Sequence, residues 1–229
     1  MAAGLFVTGT DTDVGKTAVA VAILRQLAAA GHRVGAYKPV ASGGAPATGD
    51  AAALWQAAGR PLSLAEVCPQ AFSAALAPPR AARAEGRQVD ERLLRAGFEP
   101  WATAGGVVVV EGAGGLFSPL GERSLNADLA RDLRLPLVVV DAARLGAIGR
   151  SLALVRAARA EGLAVAAVVL SHVRPPAGAP DDPASEVAIA RDSLRDLAAR
   201  LPDVRVGVLE HAAAAITPTI DFAGLAGCH

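Results

Sequence analysis

Residues Gly4 to Leu24 read GLFVTGTDTDVGKTAVAVAIL, and the parsing of this stretch decides the fold. Gly4–Gly9 has the apolar run of a short buried strand. From Val14 onward, Val19, Ile23 and Leu27 recur four apart with Ala20 and Leu24 beside them, which predicts a helix to Ala30 stopped at Gly31. Between them lies GTDTDVGKT, Gly9 to Thr17. It ends as a phosphate-binding loop does, in Gly15-Lys16-Thr17, but the spacing G-x-x-x-x-G-K-[ST] asks for glycine at position 10, where Thr10 stands; the glycine is at position 9. The context is the required one. A strand feeding a helix N-terminus presents backbone N–H groups to an anion. A lysine in the first helical turn faces the positive end of the helix dipole, which an ordinary turn avoids. Lys16 is therefore read as reaching the β- and γ-phosphates of a nucleotide, and the Thr17 hydroxyl as a magnesium ligand.

Working outward, the strand-then-helix theme repeats. RVGAYKPV (33–40) predicts a second strand that Pro39 ends, and ASGGAPATG (41–49) a small-residue loop after which Asp50 caps a helix. APPRAARAEGR (77–87) reads as a loop, with a helix following from Val89. GVVVVEGAGG (106–115) is a strand of four valines ending at Glu111 in a glycine-rich turn; PLVVVDA, AVAAVVLS and VRVGVL are further strands, separated by Ala- and Leu-rich helices at 147–160 and 184–199. Continuous apolar runs suit strands buried on both faces. The expected fold is a single domain spanning residues 1–229, an open, mostly parallel, doubly wound α/β sheet of phosphate-loop NTPase type with helices on both faces. Ligands in such sheets bind at the carboxyl ends of strands, here Gly9, Lys38, Glu111, Asp141 and Ser171 onward.

Composition narrows the function classes. With 52% hydrophobic residues the 229-residue chain can build a large core. Its 22 basic and 22 acidic side chains give zero formal charge, so no global attraction to nucleic acid or anionic lipid is expected. Cys68 and Cys228 sit at no metal spacing, and no disulfide is expected. No signal peptide or membrane-length apolar run is seen, so the expected compartment is the cytoplasm. The four histidines, His32, His172, His211 and His229, show no metal spacing and read as surface or loop residues, with His172 a candidate to lie near a base; Trp55 and Trp101 read as core or interface residues.

Candidate site residues follow from the strand ends. Lys38 ends the second strand, where a cation could stabilise charge on a transferred phosphoryl group. Glu111, followed by Gly112-Ala113-Gly114-Gly115, is placed to bind magnesium, with glycines that allow close approach of a ligand. Asp141 is a rival for that role. Asp50 on its own is satisfied as a helix cap.

Together, VTGTDTDVGKT, YKPVASG and VEGAGGLFSPL resemble the dethiobiotin synthetases, in the family's order and at similar spacing over the first half of the chain; Leu145-Gly146-Ala147-Ile148 extends the likeness. In that family a glycine followed by Thr is the normal start of the loop. The resemblance implies ring closure of 7,8-diaminononanoate with carbon dioxide, driven by ATP and Mg²⁺, through a carbamate and a carbamic–phosphoric anhydride. It implies nucleotide contacts at Asp13, Val14, Gly15, Lys16, Thr17, Ala18 and Glu111 to Gly114, with Ser171 and His172 at the base. It implies magnesium at Thr17, Asp50 and Glu111, the substrate at Thr12, Lys38, Ser42 and Gly115, Lys38 and Lys16 as catalytic lysines, and a homodimer.

The second half departs from the family pattern. Ser171-His172 stand where many members carry the Asn-Asp that helps recognise adenine, and Gly149-Arg150 stand where the family has Asn-His; Arg150 is expected to share in binding the substrate's carboxylate tail. A partitioning or switch ATPase of the same broad fold is the alternative reading. Those proteins usually open the loop with Lys-Gly-Gly, absent here, and need a basic or amphipathic tail that DFAGLAGCH does not supply. A cobyrinate-type amidating synthetase would need a glutamine-handling domain, for which the chain leaves no room.

Overall fold

The apolar runs form a parallel sheet. The computed structural model describes residues 3–45, 49–104, 106–179 and 182–227. In chain order the elements are β1 (Ala3–Gly9), α1 (Lys16–Ala29), β2 (Val34–Tyr37), β3 (Ala41–Ser42), α2 (Asp50–Ala57), α3 (Leu64–Val67), β4 (Ala71–Phe72), α4 (Pro78–Ala84), α5 (Leu93–Ala96), α6 (Glu99–Ala104), β5 (Val107–Gly115), α7 (Asn126–Leu133), β6 (Leu137–Ala142), α8 (Ala147–Ala160), β7 (Val165–Ser171), α9 (Glu186–Arg200), β8 (Arg205–Leu209) and α10 (Phe222–Leu225). Six strands pair in the order β2-β5-β1-β6-β7-β8, every neighbour parallel, and β3 and β4 form a separate parallel pair.

Every residue of β6, LVVVDA, is buried, so helices cover both faces of the sheet. Leu5, Val109, Val139 and Val168 lie in one continuous core that takes in Ile23, Leu27 and Trp101 from the helices, with Trp55 packed partly buried against it. The chain runs from β1 outward to β2, returns to β5 beside β1, then crosses to β6 on the other side. Strand order thus reverses around β1, and the loop after β1 opens into the crevice this reversal creates.

Several local expectations are corrected. α1 begins at Lys16, not Val14, because Gly15 at φ 94° is outside helical backbone. The cap of α2 is Gly49; Asp50 is the first helical residue and makes no capping bond, its carboxylate being turned to Lys38 instead. Residues 78–84 are helical rather than loop, since Pro78 and Pro79 occupy the first turn, where no N–H is missed. The helix expected from Val89 starts only at Leu93, because the Asp90 carboxylate accepts the N–H groups of Arg92 and Leu93 at 2.9 and 3.1 Å. β5 does not end at Glu111 but continues to Gly115. Cys68 is buried, donating to the Gln70 carbonyl at 3.2 Å; Cys228 and His229 lie outside the described residues, as do 46–48 of the small-residue loop.

Candidate active site

The loop after β1 explains its own glycine pattern. A Cβ on Gly9 would stand 2.8 Å from Val14 Cγ2 and 2.9 Å from the Asp11 carbonyl, because the loop folds back over position 9. Asp13 (φ 53°) and Gly15 (φ 94°) then turn the backbone through left-handed conformations into α1. Position 10 needs no glycine: Thr10 Oγ1 donates to Asp141 Oδ1 at 2.6 Å, tying the start of the loop to the end of β6. Lys16 Nζ donates to the Asp11 carbonyl at 2.8 Å, across the mouth of the loop.

Lysine 38 closes the crevice from β2. Its Nζ is 2.7 Å from Glu111 Oε1 and 3.1 Å from Asp50 Oδ2, and both it and Glu111 are buried. Thr17 Oγ1 donates to the same Glu111 oxygen at 2.9 Å. The other oxygen, Glu111 Oε2, is buried with no hydrogen-bond partner among the described residues. Burial pulls the Lys38 pKa down, but the charges of Glu111 and Asp50 outweigh it, and the net shift is upward. Lys38 is therefore a fixed cation and not a proton acceptor. Lys16 shifts the other way: burial lowers its pKa and Lys38 adds to this, against the opposing pull of Glu111. Burial works to raise the Asp50 pKa, but Lys38 prevails and it lies below the ordinary value.

These side chains share the wall of a cavity of about 400 Å³, within the range of small-molecule sites. Of the residues expected at the site, Thr12, Asp13, Gly15, Lys16, Thr17, Ala18, Lys38, Ser42, Asp50 and Glu111 to Gly114 line it. Val14, Ser171 and His172 line an adjoining cavity of about 190 Å³ at the end of β7, which Thr12 and Asp13 also border. Gly115 lines neither; it lies behind the wall, paired with Gly9 in the sheet. His172, read as a surface or loop residue near the base, follows β7 outside the strand and is buried; its Nε2 has no hydrogen-bond partner among the described residues and stands 3.6 Å from Glu210 Oε2.

Asp141 is engaged elsewhere. It accepts from Thr10, from the Ala142 N–H at 2.8 Å, and from Arg150 Nε at 3.1 Å to each oxygen, with Ser151 Oγ at 3.5 Å. Arg150, expected to meet a substrate carboxylate, is thus the counter-ion of a buried aspartate, and lines neither cavity. The composition of the strand end pointed to an acid at 141 but not to this partner on α8. Asn126, whose side chain makes four hydrogen bonds to the backbone of residues 113 to 118, carries no sequence signal at all.

A domain family described as an AAA domain matches residues 3–211. Among solved structures, chloroplast FtsY from Physcomitrella patens superposes with a TM-score of 0.52 at 16% identity, covering 100% of this chain and 65% of that one, a likeness of fold alone. Fold and loop together define a phosphate-loop NTPase-like α/β protein. The ATP-dependent dethiobiotin synthetase of Rhodopirellula baltica is 44% identical over 189 residues, 76% of this chain and 74% of that protein. Those of Anaeromyxobacter dehalogenans (strain 2CP-1) and Caulobacter vibrioides are 44% and 41% identical, covering 87% and 73% of this chain and 89% and 79% of theirs. The chain belongs to the ATP-dependent dethiobiotin synthetase family and is an enzyme of the ligase class.

Proposed function

We propose that the enzyme closes the ureido ring of dethiobiotin from 7,8-diaminononanoate, carbon dioxide and ATP, in one domain built on the continuous core. The observation that carries this reading is the buried Lys38 ammonium, held between Glu111 and Asp50 at the rim of the phosphate-loop cavity. Phosphoryl transfer needs positioning and charge stabilisation more than a protein nucleophile. A cation that stays charged, set beside the loop that receives the triphosphate, supplies that stabilisation where negative charge accumulates.

In this mechanism one amine of the substrate adds to carbon dioxide and loses a proton, giving a carbamate. A carbamate oxygen then attacks the γ-phosphorus, the bond to the β-phosphate oxygen breaks, and ADP leaves. The second amine attacks the carbonyl of the mixed anhydride, loses its proton and expels phosphate as the ring closes. Lys16 and the N–H groups of Gly15 to Ala18 hold the phosphates. Lys38 bridges carbamate and γ-phosphate. Thr12 and Ser42 border the diamine, with Gly115 fixing the strand behind it, and Ser171 and His172 border the base.

Thr17, Asp50 and Glu111 fit magnesium. The partnerless buried Oε2 of Glu111 is a free oxygen ligand, and one hydroxyl with two carboxylates leaves the remaining positions to phosphate oxygens and water, as magnesium prefers. Among the described residues no group of three or more His, Cys, Asp or Glu is placed to hold a metal ion. Bound there, magnesium would offset the charge of the triphosphate.

No helix among the described residues is long and apolar enough to cross a membrane; the compartment in this reading is the cytoplasm. The reading includes a homodimer, which the resemblance of the sequence motifs implies. The reading is tested by ADP release: with bicarbonate and magnesium present, ADP formation should depend on added diaminononanoate. Equal ADP formation without the diamine would favour an ATPase over a synthetase.

A further inference from the structure

The end of β5 raises a problem of hydrogen bonding. Pairing with β2 stops at Val110, and pairing with β1 shifts register beyond Glu111, resuming at Gly9 with Gly115. The strip Gly112 to Gly114, which lines the main cavity, is therefore left without a regular ladder partner. Its backbone is rich in glycine and has little of its own to fix it; Gly114 sits at φ 75°.

Asn126, the first residue of α7 and fully buried, takes the place of the missing strand. Its Oδ1 accepts the Ala113 N–H at 3.1 Å, and its Nδ2 donates to the carbonyls of Ala113 and Gly115 at 2.8 Å each and of Ser118 at 3.2 Å. The amide thus exchanges a donor and an acceptor with Ala113, as a paired strand residue would. The fit is tight. A Cβ on Gly112 would meet Asn126 Oδ1, so this placement of Asn126 calls for glycine at 112.

We infer that Asn126 is a positioning residue for the reaction: through its side-chain amide, α7 sets the place of the Gly112–Gly114 wall, where the nucleotide's phosphates meet the carbamate across from Lys38. It lines neither cavity of the site. The inference rests on the synthetase reading above. Misplacing a wall of the site by about 1 Å is enough to cost about 100-fold in turnover.

The test measures nucleotide affinity and diamine kinetics separately. Asn126→Ala, in the 229-residue chain, is expected to lower kcat/KM for diaminononanoate about 10- to 100-fold, with the ATP dissociation constant changed far less, because Lys16 and the loop N–H groups still hold the phosphates. Asn126→Ser, which keeps a short polar side chain at the start of α7 but cannot reach all four backbone partners, should reproduce this split if Asn126→Ala does not fold. Gln26→Ala is the control for loss of a remote hydrogen bond: Gln26 Nε2 donates to the Ile220 carbonyl, away from the site, and its removal should leave both constants unchanged. Unchanged diamine kinetics in Asn126→Ala, or a parallel loss of ATP affinity, would overturn the inference. Absence of diamine turnover in the unaltered enzyme would instead overturn the synthetase reading itself.

Discussion

Thr10 Oγ1 donates to Asp141 Oδ1 across 2.6 Å, joining residues 131 positions apart. The residue that looks out of place in the phosphate-loop pattern is the one that anchors the loop to β6. Asp141 is fully buried and its remaining partners include Arg150 on α8, so the loop, the strand and the helix meet at one carboxylate. Thr10→Val keeps the shape and removes the donor. It is expected to cost about 1.5–3 kcal/mol, the range for a hydrogen bond to a charged group, and to raise the KM for ATP. Arg150→Ala should lower thermal stability while leaving the KM for the diamine unchanged. A raised diamine KM in that variant would return Arg150 to a role in binding the substrate.

Lys38→Gln removes the bridging cation and leaves Glu111 buried. Turnover is expected to fall by about 100- to 1,000-fold, as when one stabilising donor is removed from a charged transition state. Nucleotide binding should be largely retained, because Lys16 and the loop N–H groups remain. Equilibrium binding of a nucleotide alongside steady-state turnover separates the two. Joint loss would assign Lys38 to anchoring phosphate.

The two lysines should separate on a pH scale. Lys16 lies below the ordinary lysine value of 10.5 and Lys38 above it. The alkaline limb of kcat/KM for ATP, which reports the free enzyme, is expected below that ordinary value and to belong to Lys16; Lys16→Arg should abolish it. The Lys38–Asp50 pair contributes differently to stability. Because the Lys38 pKa is raised in the fold, its contribution is complete below 10.5 and is lost only as pH rises through the higher folded value. Because the Asp50 pKa is lowered, its contribution is complete above 3.8 and is lost as pH falls through the lower folded value. Melting temperature measured across the neutral range should therefore show no step from this pair.

His172 borders the smaller cavity, its Nε2 without a hydrogen-bond partner among the described residues. A nucleotide base seated there would give that nitrogen one. His172→Ala is expected to change the ratio of KM values among nucleoside triphosphates with little change in kcat. An unaltered ratio would place base recognition elsewhere.

The order of elements and the crevice were legible in the chain because continuous Val, Leu and Ala runs leave a buried parallel strand as the economical solution, and a Gly-Lys-Thr turn between strand and helix has few uses. Lys38 and Glu111 were also legible as residues of that crevice, since each directly follows an apolar strand run that leads into it. Other features depend on pairings that no local pattern carries. Asp50 reads as a helix cap until Lys38 stands 3.1 Å from it. Pro78 and Pro79 read as a loop although the first helical turn tolerates them. Asn126 is an ordinary helix-start residue until the unpaired end of β5 is set beside it.

The central claim is ring closure through a phosphorylated carbamate, and the product itself tests it most directly. The enzyme is incubated with diaminononanoate, Mg-ATP and ¹³C-bicarbonate, and dethiobiotin is sought by mass spectrometry. The account predicts dethiobiotin carrying the heavy carbon in its ureido carbonyl, formed only when ATP and magnesium are both present. No dethiobiotin with any nucleoside triphosphate, or product formed equally well without nucleotide, would contradict it.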